Sequence, residues 1–79
     1  MERESILLSD LDLKIMNFLK EERVVKDITK YFDINSSQVK KHINRLQENS
    51  LIKYEWFGTF KRIRLSKRGI EVLELLNHG

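Results

Sequence analysis

Apolar residues recur along this chain first at helical spacing, then at strand spacing, then at helical spacing again, which predicts four helices with one β-hairpin before the last of them. The first helix is expected to begin at Ser9. That residue is a capping type, Asp12 stands three positions on as its capping-box partner, and Leu8 can staple to Leu13 across the first turn. Leu11, Ile15, Phe18 and Leu19 then make one apolar stripe. A second helix runs from about Val24 to Phe32, with Val25, Ile28 and Phe32 on its buried side and no polar cap at its start. Only Asp33 and Ile34 separate it from the cap of a third helix, so the two must form a tight helix-turn-helix. In the third helix Asn35 caps, Gln38 completes the box, Ile34 staples to Val39, and Val39, Ile43 and Leu46 define the buried face. At about 100° per residue, Ser37, Lys41, Asn44, Arg45 and Glu48 fall on the opposite side with Gln38 and Lys40 at its edges.

From Leu51 the period changes to two. Gly58-Thr59 interrupts two alternating runs, and glycine at the first central position favours a two-residue type II′ turn. That turn pairs Phe57 with Phe60, Trp56 with Lys61, Glu55 with Arg62, Tyr54 with Ile63, Lys53 with Arg64 and Ile52 with Leu65. One ribbon face, Ile52, Tyr54, Ile63 and Leu65, suits a core; the other, Lys53, Glu55, Arg62 and Arg64, suits water or phosphate. Trp56 is expected to pack partly on the core side and cover the stem of Lys61, and Phe57 with Phe60 to form a tip pair. Ser66 caps the last helix, where Ile70, Val72, Leu73, Leu75 and Leu76 wrap about 220° of the circumference. A surface helix normally has an apolar arc a little over 100° wide, so Val72 and Leu75 would be exposed in a monomer. This surplus points to a homodimer contact through Val72, Leu75 and Leu76, with Ile6 and Leu7 of the N-terminal segment contributing.

Length and composition narrow the possibilities. A chain of 79 residues with no cysteine and no proline is one domain over positions 1–79, held by packing alone, with neither a disulfide framework nor a thiolate metal site. The longest apolar run, Ile6-Leu7-Leu8, is far below the roughly 20 residues of a membrane span, so a soluble, cytoplasmic protein is expected, without membrane association. Charge is unevenly placed. Residues 35–68 hold nine basic and two acidic side chains, a net +7, between segments of −2 on either side. Such a cationic block is the footprint of a surface that meets phosphate. His42 and His78 lack the neighbours of a metal site or a catalytic base, so no metal and no cofactor is expected. With no nucleophile and base pairing and no glycine-rich phosphate loop, an enzyme is not expected either.

The order helix, helix-turn-helix, hairpin, helix resembles a winged helix-turn-helix domain, an α+β and mainly α class with a three-helix core, a two-stranded wing and a C-terminal helix. The residues that carry the resemblance are Asp27 to Asn35 for the second helix and turn, Gln38 to Leu46 for the recognition helix, Leu51-Ile52 for the wing entry and Leu65 to Gly69 for its exit. Over roughly residues 8–76 the chain is similar to the multiple-antibiotic-resistance-type and arsenical-repressor-type transcription factors of bacteria and archaea. It differs in having Thr29 where those often have alanine, and Asp33 and Asn49-Ser50 at turns where they have glycine. Asp and Asn tolerate left-handed backbone better than other residues with a side chain.

The resemblance implies a sequence-specific regulator of transcription that binds double-stranded DNA. Its recognition helix, about 35–49, would enter the major groove with Ser36, Ser37, Gln38, Lys40, Lys41, Asn44 and Arg45 reaching bases or phosphates. Its wing, about 51–65, would set Lys53, Lys61, Arg62 and Arg64 on the backbone or the minor groove, and Lys67 and Arg68 would add phosphate contacts. The arsenical-repressor metal cysteines are absent, so that sensing chemistry is not implied, and a chain this small is not expected to hold a small-molecule effector. The alternative is a winged-helix protein-interaction module that touches no nucleic acid.

Overall fold

The computed structural model of the chain describes residues 8–77. Ile6, Leu7 and His78, named above, lie outside these residues. The elements follow in the order α1 (Asp10–Phe18), β1 (Arg23–Val24), α2 (Val25–Phe32), α3 (Ser36–Glu48), β2 (Ile52–Phe57), β3 (Phe60–Leu65) and α4 (Lys67–Asn77). Both capping boxes form. The Asp12 N–H donates to Ser9 Oγ at 3.1 Å while the Ser9 N–H donates to Asp12 Oδ2 at 2.9 Å. At the start of α3 the Gln38 N–H donates to Asn35 Oδ1 at 2.9 Å, and the Asn35 N–H to Gln38 Oε1 at 3.4 Å. The start of α2 has half of such a box, because Val24 offers no acceptor but its N–H donates to Asp27 Oδ2 at 3.1 Å.

All six hairpin pairs have the expected register, from Phe57 opposite Phe60 to Ile52 opposite Leu65. Gly58 takes φ 64° and Thr59 keeps a negative φ, as a type II′ turn requires. The two strands of the wing hairpin do not stand alone, however. Arg23 and Val24 pair with Ile63 and Arg62, so β3 lies between β1 and β2 in a three-stranded antiparallel sheet. This third strand joins the hairpin to the helical core and orients it relative to α2.

The core collects the buried faces of every helix and the inner face of the hairpin: Ile15, Met16, Leu19, Ile28, Val39, Ile43, Leu46, Leu51, Ile52, Ile63, Leu65 and Leu73. Val72 was expected at the surface, but it is half-buried against this core, whereas Ile70, Leu75 and Leu76 are the exposed apolar positions of α4.

Among the described residues, two with side chains adopt left-handed backbone, Asp33 at φ 56° and Ser50 at φ 60°. Asp33 does so as expected; at the second turn it is Ser50, while Asn49 keeps φ −94°. The Ser50 N–H donates to the Gln47 carbonyl and the Leu51 N–H to the Leu46 carbonyl, both at 2.9 Å, the pattern of a Schellman end to α3. A side chain in this conformation costs about 1 kcal/mol that glycine avoids, so Ser50→Gly should stabilise the domain by about that amount in urea titration. A variant no more stable than the parent would show that Ser50 is unstrained.

Candidate nucleic-acid interface

Burial of Val39, Ile43 and Leu46 turns the opposite face of α3 to solvent, where Ser36, Ser37, Gln38, Lys40, Lys41, Asn44 and Arg45 are all exposed. They are not equally available. Gln38 Oε1 is engaged in the cap, so bidentate pairing with adenine, which needs both amide atoms, requires breaking that 3.4 Å bond. Arg45 Nη1 donates to Asp12 Oδ2 at 3.0 Å. Arg68, at the start of α4, donates from Nε to the Asn49 carbonyl at 3.1 Å and so closes the C-terminal end of α3. Lys40, Lys41, Lys53, Arg64 and Lys67 are exposed and form no ion pair among the described residues.

The wing divides its cations between the two faces of the ribbon. Lys53, Arg62 and Arg64 lie on the outer face. Arg62 leans over the Phe57 ring, 4.4 Å from its centroid, and its Nη1 reaches Glu22 at 3.5 Å. Lys61 lies on the inner face, with Nζ 4.2 Å from the centroid of Tyr54 and 5.5 Å from that of Trp56. Here the ribbon overhangs the core and leaves a groove of about 400 Å³, lined by Val24, Val25, Lys26, Lys40, Trp56, Thr59, Phe60 and Lys61. Cations from α2, α3 and β3 therefore converge on one concave surface beside the exposed face of α3. Lys26 was not among the expected residues, since at the start of α2 it stands outside the cationic block.

His42 is not isolated, contrary to expectation. Its Nδ1 bonds to Asp12 Oδ1, and with Arg45 it encloses a carboxylate that is 0% exposed. Burial is the largest influence on Asp12 and by itself raises its pKa. Hydrogen bonds from His42, the Ser9 N–H and Arg45, with the coulombic pull of His42, outweigh it and hold the carboxyl below its ordinary value. The group pins α1 to the outer flank of α3. Spacing hinted at half of it, because His42 and Arg45 are three residues apart on one helix face, but nothing local indicated Asp12.

At the other end of α1, Phe18 stacks on Tyr31 with centroids 4.4 Å apart, and Arg23 covers the Phe18 ring at 4.3 Å. Tyr31 thus packs from α2 against the end of α1.

No protein family's sequence profile and no curated protein matches the chain. Solved structures do. The adhesin competence repressor of Streptococcus pyogenes aligns with TM-score 0.83 and 16% identity over 92% of this chain and 56% of that protein. The transcriptional regulator BldR of Sulfolobus solfataricus aligns with TM-score 0.82 and 19% identity, over 90% and 54%. A homodimeric winged helix-turn-helix DNA-binding domain of Mycobacterium bovis, described as a possible ArsR-family regulator, aligns with TM-score 0.80 and 20% identity, over 87% and 66%. The chain spans little more than half the length of the first two. Its four helices, helix-turn-helix and three-stranded wing follow the architecture of these structures, and the chain has the winged helix-turn-helix fold.

Proposed function

We propose that the chain is a sequence-specific regulator of transcription that binds duplex DNA, with α3 in the major groove and the wing on the adjacent backbone and minor groove. The observation that carries this reading is the convergence of Lys26, Lys40 and Lys61 from three elements on one groove beside the solvent face of α3. A protein-interaction module has no need of cations gathered from three elements onto one surface; a phosphate backbone does. Fold likeness to DNA-binding regulators points the same way. On α3, Ser36, Ser37, Lys40, Lys41 and Asn44 are the free groups for bases and phosphates. Lys53, Lys61, Arg62, Arg64, Lys67 and Arg68 supply phosphate contacts around them, Arg62 and Arg68 after giving up their present partners.

A homodimer is part of the reading. Ile70, Leu75 and Leu76 leave apolar surface exposed on α4, and Leu75 is 73% exposed. A second copy of the chain covering part of this surface around Leu75 and Leu76, with the segment containing Ile6 and Leu7, would place two recognition helices on half-sites about 10 base pairs apart or a multiple of that.

Selection of bound duplexes from a random pool tests DNA binding and half-site symmetry together. On the selected duplex, Lys40→Ala with Lys61→Ala should weaken binding to all sequences and flatten the slope of log K against log salt by about 1.8, or about 0.9 per lost phosphate contact. Asn44→Ala should leave that slope unchanged and broaden the selected consensus. A protein that ignores duplex DNA at low ionic strength, or a double variant with the parent's slope, ends this reading.

A further inference from the structure

Three aromatic rings bracket the Gly58-Thr59 turn, where the ribbon has left the core. Trp56, Phe57 and Phe60 are 63%, 45% and 66% exposed. One exposed apolar residue is ordinary; three around a single turn, with Trp56 on the inner face of the ribbon and Phe57 on the outer, leave apolar surface on both faces that asks for an occupant. Cross-strand pairing of Phe57 with Phe60 aids the hairpin. It does not account for Trp56, nor for the charges around the patch.

Those charges identify the occupant. Arg62 lies over Phe57 on one face of the ribbon, while Lys61 lies beside Trp56 on the other, with Lys26 and Lys40 across the groove. An apolar tip flanked by cations on both faces suits a slot with two anionic walls. The minor groove of duplex DNA is such a slot, about 6 Å wide between two phosphate strands. The division of wing cations between two faces, unhelpful for a ribbon lying flat on DNA, is what an edge-on ribbon needs.

We propose, on the basis of the DNA-binding reading above, that the wing tip is an aromatic wedge. Phe57 and Phe60 enter the minor groove and insert at a base step, partly unstacking it and bending the duplex, while Lys61 and Arg62 hold the phosphates of opposite strands. Apolar side chains placed between base pairs open and kink duplexes in this way. Pyrimidine–purine steps unstack most readily, so the wedge adds a preference for TA or CA steps under the wing without any hydrogen bond to a base.

Ring closure by ligase measures the bend. The probe is a mixed-sequence duplex of about 100 base pairs with cohesive ends, shorter than the ~150 base-pair persistence length of DNA, and variants are compared at equal occupancy set by mobility shift at low ionic strength. The full chain should accelerate closure about tenfold, Phe57→Ser with Phe60→Ser should bind but lose the acceleration, and Phe57→Leu with Phe60→Leu should keep most of it. Circular dichroism confirms that both variants fold. Binding without acceleration by the parent, equal acceleration by the serine variant, or loss of acceleration in the leucine variant overturns the wedge and leaves the DNA-binding reading in place. Absence of any mobility shift for the parent removes that reading and the wedge together.

Discussion

Replacing Asp12 with alanine is expected to destabilise the domain by about 3 kcal/mol, a large part of what a domain of this size has. The carboxylate is fully buried and accepts hydrogen bonds from Ser9, His42 and Arg45, so the variant loses the reciprocal half of the α1 capping box and leaves two polar side chains of α3 without their partner. In thermal unfolding this corresponds to a fall in Tm of about 12 to 24 °C. Acid should reproduce part of the effect. Because the folded state holds Asp12 below its ordinary pKa, the stability tied to its charge is complete above about pH 4 and is lost as pH falls through the lowered native value. The stability gap between the parent and Asp12→Asn should therefore be widest near neutrality and shrink below about pH 4, as read from urea midpoints across the pH range. A gap that does not change with pH would mean that the carboxylate acts only by its shape.

Gly69→Ala is the second large effect, and its sign is the informative part. In an open helical position the substitution would stabilise by up to about 1 kcal/mol, since alanine is the better helix former. Gly69 is not open. A Cβ built there would lie 2.0 Å from the Leu51 carbonyl oxygen and 3.2 Å from Leu65 Cδ2. The obstacle is backbone and cannot rotate away. That same carbonyl accepts the Ser66 N–H at 3.0 Å, while Ser66 Oγ donates to the Ser50 carbonyl at 2.7 Å and accepts the Gly69 N–H at 3.0 Å. Moving α4 outward to make room would strain all three bonds at the base of the wing. A net loss of about 2 to 3 kcal/mol in urea denaturation is expected. A variant as stable as the parent would show that α4 does not pack this closely on the wing entry.

Both effects arise where distant segments meet, and that marks the boundary of what could be read from the chain. The caps at Ser9 and Asn35 and the hairpin register were legible because their partners lie three residues away or follow from one turn. The outward face of α3 was legible too, since Val39, Ile43 and Leu46 turn it to solvent. Other features were hidden from local pattern. Arg23 and Val24 are too few to show a period, and their partners, Ile63 and Arg62, are about 40 residues away. The sorting of cations was hidden as well: Arg45, Arg62 and Arg68 look as free as Lys40 and Lys41 until Asp12, Glu22 and the Asn49 carbonyl are brought beside them.

Helix ends, strand alternation, the turn at Gly58 and the strong positive charge of the middle third are thus properties of the sequence by itself, because each rests on contacts or counts within a few residues. Tertiary structure alone decided that Asp12 anchors α3, that Ile70 rather than Val72 faces outward, that Lys26 joins Lys40 and Lys61 in one groove, and that Gly69 must lack a side chain. These depend on the angles at which helices and sheet pack, and those angles follow from the combined shape of all the buried side chains rather than from any one segment.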